Sequence, residues 1–188
     1  MNRKEWILSQ FCSLLSTFGP SVLAASTISP APLWALPGLD GQAVTLDQFA
    51  GKVVYLDFWA SWCGPCRQSF PWLNEMQSRY EKQGLAVIGV NLDKKRQAAE
   101  KFLLNQPAQF RVLLDPVGAT ARSYGVNAMP SSFLIGRQGQ VAFKNSGFVP
   151  SDKPQIEARI RQALGLAVAG MAISLLSACA ITPVEAWD

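Results

Sequence analysis

Two cysteines separated by two residues, Cys63 and Cys66, are the side chains of this chain with the clearest capacity for chemistry. They follow an apolar run, Val53–Trp59, which is typical of a buried strand, and a second run of this type spans Leu85–Asn91. From Cys66 to Tyr80 the apolar side chains recur at helical spacing. We therefore expect Cys63 at a strand-to-helix corner, where the unpaired N–H groups and partial positive charge of the helix N-terminus favour thiolate over thiol. Since the thiolate is the reactive form of cysteine, the pattern predicts a reactive sulfur at Cys63.

The residues around the cysteine pair resemble the active site of the thioredoxin superfamily. The motif Trp-Cys-Gly-Pro-Cys at 62–66 follows Asp-Phe-Trp-Ala at 57–60. The resemblance covers about residues 33–164 and implies a thioredoxin-like α/β fold, with a central mixed β-sheet flanked by helices on both faces. An N-terminal β-hairpin, with strands at Leu33–Leu36 and Ala43–Thr45 around a turn at Asp40–Gly41, resembles the exported TlpA and ResA branch of the superfamily. An inserted helix over Asp93–Asn105 is a second feature similar to that branch.

Three residues are predicted to carry the reaction, a cycle of the Cys63–Cys66 pair between dithiol and disulfide. Cys63 is expected to attack a disulfide of a client protein, and Cys66 to resolve the mixed disulfide. Asp57 is the candidate base for Cys66, because burial of a carboxyl group in an apolar strand raises its pKa towards neutrality. The alternative for Asp57 is a solvated carboxylate at the strand end.

A second group of residues is predicted to contact the client. Trp62 flanks the cysteines, although it could equally be a core aromatic residue. Gly64 and Pro65, between the two cysteines, match the reducing members of the superfamily, so the resemblance implies a reductant. It also places Pro130 where a cis proline precedes the third core strand and faces the cysteine pair. We therefore expect a cis bond between Met129 and Pro130, with the backbone there pairing with the client strand.

Two departures from the family pattern weaken specificity for cytochrome c maturation, which stays an alternative function. Ser69 stands where those members commonly carry glutamate, and Ser131 where they often have threonine. A second alternative is a non-catalytic thiol module in which Cys63 and Cys66 bind Cu(I) as soft ligands. A peroxidase is disfavoured, because Ala60 replaces the Thr or Ser that peroxiredoxins carry three residues before their reactive cysteine. The leading prediction involves no cofactor and no metal.

The composition excludes several other classes of function. The net charge is +4 without a basic run, which argues against nucleic-acid binding. The absence of histidine excludes histidine bases and histidine metal ligands, and Arg67 after Cys66 excludes a c-type haem attachment site. The remaining cysteines, Cys12 and Cys179, lie in terminal hydrophobic segments, so the four cysteines predict neither a disulfide framework nor a four-ligand zinc site.

The N-terminus predicts export. Arg3 and Lys4 precede an uncharged stretch that ends in small residues, with a plausible cleavage site after Ala24 or Ala25. We therefore expect a signal peptide at 1–25, a linker at 26–32 and an active domain in the bacterial periplasm or at the outer face of the cell membrane. An ordinary N-terminal helix is the alternative. An exported reductant faces an oxidising compartment and would need a membrane thiol partner as electron donor.

The hydrophobic tail, residues 165–188, has three open interpretations. The stretch Ala163–Ile181 is uncharged and long enough to span a bilayer, so the tail would associate with the membrane as an anchor. Its segment Leu176–Cys179 resembles a bacterial lipoprotein cleavage box, which slightly favours the start of a second, lipoprotein-like product. The third interpretation is a terminal helix buried against the domain.

Overall fold

The computed structural model describes residues 29–167. Its strands are β1 (Ala35–Pro37), β2 (Ala43–Thr45), β3 (Val53–Trp59), β4 (Leu85–Asn91), β5 (Arg111–Leu114), β6 (Ser131–Ile135) and β7 (Val141–Ser146). Its α-helices are α1 (Gly64–Tyr80), α2 (Arg96–Asn105), α3 (Ala119–Ser123) and α4 (Lys153–Leu164). Short 3-10 turns cover Leu46–Phe49, Glu81–Gln83 and Pro150–Asp152.

The centre of the fold is a five-stranded sheet with the order β5-β4-β3-β6-β7. Strands β3, β4 and β5 run parallel, whereas β6 and β7 are antiparallel to their neighbours, so the sheet is mixed as predicted. The central strands β3 and β4 have the predicted bounds, and all of their residues are buried. Both strands are apolar except for Asp57 and Asn91, because helices or loops cover them on both faces.

The α1 face of the sheet, which carries Tyr55 and Trp59 of β3, is covered by helices. Residues of α1 and α4 pack there at helical spacing: Cys66, Phe70, Leu73, Met76, Ile156, Ile160 and Leu164. The periodicity predicted for α1 is thus confirmed. The helix ends, through a 3-10 turn, at Gly84, whose φ of 97° lies in the left-handed region that favours glycine.

The hairpin face of the sheet, which carries Leu56 and Phe58 of β3, is covered by the β1–β2 hairpin and α3. Apolar residues of these elements form a second core cluster: Trp34, Leu36, Val44, Leu46, Ala121 and Tyr124. Helices therefore flank both faces, and the predicted fold class, with its N-terminal hairpin and inserted helix, is confirmed.

The starts of the first hairpin strand and of the inserted helix differ from the prediction. The first hairpin strand was expected to begin at Leu33 but begins at Ala35, and Leu33 is 74% exposed. The inserted helix was expected to begin at Asp93 but begins at Arg96. Asp93 instead lies in the segment before the helix, where its own backbone N–H donates to the side-chain oxygen of Asn91, 3.0 Å away.

The two ends of the chain bear on export and membrane association. The predicted signal at 1–25 and the tail beyond residue 167 lie outside the described residues. Within residues 29–167, no helix combines the length and the apolar character needed to cross a bilayer. The last part of the predicted linker pairs with the β6–β7 turn, where the Ala31 N–H donates to the Gly139 carbonyl at 2.8 Å.

Candidate active site

The two cysteines lie at the corner between β3 and α1. Cys63 is the N-cap residue of α1, and Cys66 lies in the first turn of the helix. The two sulfurs form a disulfide, with 5.3 Å between the Cα atoms. The Cys66 backbone N–H donates to Cys63 Sγ at 3.2 Å, so an otherwise unpaired N–H of the helix terminus faces this sulfur. Pro65 occupies an N-terminal helix position, where its missing N–H leaves no hydrogen bond unmade.

Burial distinguishes the two sulfur-bearing residues. Cys63 is 5% exposed, whereas Cys66 is completely buried. Both pack in the core cluster of the α1 face, and Ser69 of the next helical turn donates its hydroxyl hydrogen to the Cys66 carbonyl at 3.0 Å. A reactant that approaches from solvent therefore reaches Cys63 first.

A buried carboxylate fixes the loop that leads into Cys63. Asp93 accepts hydrogen bonds from the Ser61 backbone N–H at 2.9 Å, the Ser61 hydroxyl at 3.0 Å and the Asn91 amide at 2.8 Å. Asp93 is only 6% exposed, and its partners come from the loop before Cys63 and from the end of β4. Sequence reasoning assigned Asp93 only to the inserted helix and missed this role. The sequence did contain a signal for this role: Asp93 follows Asn91 by two residues at the end of a buried strand, a spacing at which polar side chains form local hydrogen bonds.

Asp57 is buried in the central strand, so the alternative of a solvated strand end is wrong. It is 3% exposed, and side-chain alternation along β3 directs it to the same face as Tyr55 and Trp59, the face on which Cys66 packs. Burial raises the pKa of the Asp57 carboxyl group well above its usual range, as predicted. Among the described residues, Asp57 Oδ2 has no hydrogen-bond partner.

A pair of hydroxyl groups lies beside Asp57 on this face. The Tyr55 phenol and the Ser132 hydroxyl are hydrogen-bonded at 2.7 Å. Ser132 stands opposite Asp57 in the β3–β6 ladder. Burial first, and then the Asp57 charge, raise the pKa of Tyr55. The site prediction contained neither hydroxyl, because a tyrosine in an apolar strand is usually only a packing residue.

The residues predicted to contact a client differ in their exposure. Trp62 is 70% exposed, so the alternative of a core aromatic does not apply to it, whereas Trp59 is completely buried. Gly64 and Pro65 are also exposed. The Met129–Pro130 peptide bond is cis, as predicted, and half-buried Met129 packs against the cluster that contains both cysteines. Trp62, Gly64 and Pro65 are thus exposed next to Cys63 in the chain, whereas Pro130 is buried; the roles of all five residues toward a client stay predictions.

The arrangement can bind soft metals or exchange disulfides through Cys63 and Cys66. No group of three or more Cys, Asp or Glu side chains suited to a metal ion occurs within residues 29–167. The site chemistry is therefore that of two sulfurs, one near solvent and one buried, with a carboxyl group of raised pKa on the same face of the sheet.

Comparison with known proteins identifies the family. The model of the Redoxin family matches residues 26–160. The chain belongs to the Redoxin family of the thioredoxin superfamily. Within it, the chain is ResA-like. It is 33% identical over 132 residues to the thiol-disulfide oxidoreductase ResA of Bacillus thuringiensis subsp. konkukian. The matched residues cover 70% of this chain and 75% of that protein.

Two solved structures extend the match to the whole thioredoxin-like fold. A candidate thiol:disulfide interchange protein DsbE from Chlorobium tepidum is 55% identical, with a TM-score of 0.71, and the match covers 73% of this chain and 96% of that one. The thioredoxin domain of a Bacteroides vulgatus thiol-disulfide oxidoreductase is 26% identical, with a TM-score of 0.64 and coverages of 72% and 98%. The enzyme class of this Redoxin-family protein is therefore thiol–disulfide oxidoreductase.

Proposed function

We propose that this protein is an exported reductant of disulfides in client proteins, with Cys63 as nucleophile and Cys66 as resolving thiol. One observation carries the proposal: Cys63 caps helix α1 near solvent, whereas Cys66 lies completely buried behind it. The N–H of Cys66 that donates to Cys63 Sγ would stabilise a thiolate at the same sulfur after reduction. Of the two sulfurs, only Cys63 Sγ is then both near solvent and stabilised as a thiolate.

The first step is attack by the Cys63 thiolate on one sulfur of the client disulfide. An S–S bond forms between Cys63 and the client, the client S–S bond breaks, and the departing client sulfur leaves as a thiolate that takes a proton. Unpaired backbone groups beside the cis bond support docking of the client. Within residues 29–167, the N–H and carbonyl of Met129 have no backbone partner, so both are available to an added strand of the client.

The second step needs a base, because Cys66 is buried as a thiol. The Cys66 thiolate attacks Cys63 Sγ, the mixed disulfide breaks, and the client leaves with both electrons of the dithiol. We assign the Cys66 proton to Asp57, whose pKa is raised by burial on the same face of the sheet. A carboxyl group with its ordinary pKa would be too weak a base for a buried thiol.

The oxidised protein must then be reduced again for another turnover. The N-terminal segment 1–25 has the pattern of a secretory signal, so the cycle would run in the bacterial periplasm or at the outer face of the membrane. Such a compartment is oxidising. We therefore propose a membrane thiol protein as the electron donor. The tail from residue 165 would hold the protein at that membrane if it is an anchor.

Insulin reduction by dithiothreitol tests the proposed activity. The full-length protein should accelerate the precipitation of reduced insulin chains, and Cys63→Ser should abolish the acceleration. Ser78→Ala, a change of equal size on the exposed surface of α1, is the matched control and should behave as wild type. No acceleration above dithiothreitol alone, together with stoichiometric Cu(I) binding by the reduced protein, would favour the copper module instead.

The role of Asp57 has its own kinetic test. Asp57→Asn should slow the decay of the mixed disulfide at neutral pH, while the first attack keeps its rate, because only Cys66 needs the base. Stopped-flow mixing with a disulfide peptide separates the two steps. Unchanged decay would contradict the assignment of the proton to Asp57.

Export and the tail can be tested with the same chain. A reporter that is active only outside the cytoplasm, fused after Leu164, should be active, and deletion of residues 1–25 should silence it. Labelled palmitate on Cys179, lost in Cys179→Ala, would identify the lipoprotein box; an unlabelled chain in the membrane fraction would identify an anchor. A reporter silent in the intact fusion would contradict export.

A further inference from the structure

A groove of about 670 Å³ opens next to the disulfide, between the loop that leads into Cys63 and helix α2. Its lining includes Ser61, Trp62, Arg67, Lys101, Phe102 and Gln106. Ser61 and Trp62 immediately precede Cys63, so residues that flank a client cysteine at Cys63 reach this groove. The volume lies within the range that holds a small ligand or a few peptide side chains.

The groove is positively charged. Arg67 and Lys101 line it, and none of its lining residues is acidic. In the part of the chain that the structure describes, neither cation has a carboxylate within 4.0 Å. The acidic side chains of the neighbouring segments have other partners: Asp93 accepts hydrogen bonds from Ser61 and Asn91, and Glu100 pairs with Arg96 at 2.7 Å. Both lining charges are thus available to a partner of opposite charge.

The position of Arg67 is fixed by the groove itself. Its guanidinium group donates to the Ser61 carbonyl at 3.1 Å and stacks over the Phe102 ring, with 5.7 Å from Cζ to the ring centroid. The Arg67 carbonyl in turn accepts from the Gln106 side chain at 2.7 Å. Because these contacts order Arg67 before any client binds, a client carboxylate would meet a preorganised cation.

Trp62 gives the groove an apolar wall. It is 70% exposed, whereas Phe102 beneath Arg67 is 7% exposed. Exposed aromatic residues are enriched at protein–protein interfaces, where their rings bury a large area at low entropic cost. An aromatic wall beside two cations fits an extended peptide that carries carboxylates next to an apolar side chain.

We propose that this groove selects clients with acidic residues within a few positions of the cysteine under attack, and that Lys101 and Arg67 determine this specificity. The inference rests on the proposed function, since it concerns the clients of the same disulfide exchange. Lys101 contributes charge from α2, and Arg67 from the first turns of α1. Basic flanks are selected against because they meet the same two cations.

Three disulfide-bonded peptides that differ only in their flanking residues provide the test: one with Glu, one with Lys and one with Gln. The reduced full-length protein should reduce the Glu peptide at least about threefold faster than the Lys peptide at low salt, the order expected for a few solvent-exposed charges. The ratio should shrink towards one in 1 M salt, where screening acts over about 3 Å. Lys101→Glu should remove or reverse the ratio, and Arg67→Gln should reduce it.

Lys82→Glu is the matched control, because it makes the same charge change at a remote exposed site. Lys82 follows the far end of α1, 15 residues beyond Arg67, or about 22 Å at the rise of an α-helix. It should keep the wild-type ratio and should reduce the Gln peptide at the wild-type rate. Equal rates for the Glu and Lys peptides would overturn this inference and leave the proposed function standing. The same would follow if Lys82→Glu changed the ratio as much as Lys101→Glu does. Failure to reduce any of the three peptides would overturn the proposed function, and this inference with it.

Discussion

Ser132 stands directly opposite Asp57 in the β3–β6 ladder, yet its hydroxyl group is hydrogen-bonded to the Tyr55 phenol, 2.7 Å away. Asp57 Oδ2 has no hydrogen-bond partner among the described residues. Burial without a partner disfavours the charged carboxylate, which is the physical cause of the raised pKa. A carboxyl group that holds its proton more tightly than usual is suited to exchange protons with a buried thiol.

The first prediction concerns stability and pH. Because the pKa of folded Asp57 is raised above the unfolded value of 3.8, the folded state binds more protons than the unfolded state above about pH 4. Asp57 therefore costs increasing stability as pH rises from 3.8 to the folded pKa, by at most about 1.4 kcal/mol per pH unit. Asp57→Asn should thus gain stability relative to wild type between pH 3.5 and pH 8. Urea unfolding of both oxidised proteins measures this, and a pH-independent difference would contradict it.

The second prediction concerns the hydroxyl pair. Ser132→Ala or Tyr55→Phe leaves the other buried hydroxyl without its partner, so each should lower the free energy of unfolding by about 1–3 kcal/mol. The double variant should lose clearly less than the sum, since it leaves neither hydroxyl behind. Equilibrium unfolding of the four proteins forms a double-mutant cycle. Additive losses would show that the two groups do not interact.

The third prediction concerns the loop that leads into Cys63. Asp93→Ala removes the acceptor of the Ser61 backbone N–H, so amide hydrogen exchange at Ser61 should become faster, and stability should fall by about 1–3 kcal/mol. Asp40→Ala is the control, because Asp40 also accepts a backbone N–H, from Gln42, but on the exposed hairpin. It should leave exchange at Ser61 unchanged. If Ser61 exchanges at the wild-type rate in Asp93→Ala, the carboxylate does not hold this loop.

Local patterns predicted the framework of the site because its elements are determined by neighbouring residues. The strands β3 and β4 were predicted to the residue from two continuous apolar runs, and the Cys63 corner from the change to helical spacing after it. The cis bond at Pro130 was predicted by resemblance and not from the residues themselves, since a proline before a strand is usually trans.

Contacts between distant segments could not be predicted in this way. The bonds from Ser61 to Asp93 and from Tyr55 to Ser132 join residues 32 and 77 positions apart. Gly89 gives a further example: a Cβ atom there would lie 2.8 Å from Phe110 Cε2 and 3.1 Å from Trp59 Nε1. Such relationships depend on the register of β3, β4 and β6, and a single sequence does not report register between distant strands.

The assignment of Cys63 as nucleophile and Cys66 as resolving thiol is the central claim, and trapping of the mixed disulfide tests it most directly. Cys66→Ser and Cys63→Ser are each reduced, mixed with a disulfide-bonded peptide, and analysed by mass spectrometry with peptide mapping to separate adducts at Cys12 or Cys179. We predict a stable peptide adduct on Cys63 in the Cys66→Ser variant, because the resolving thiol is absent, and no adduct on buried Cys66 in Cys63→Ser. An adduct on Cys66 that forms as fast as the one on Cys63 would contradict the account.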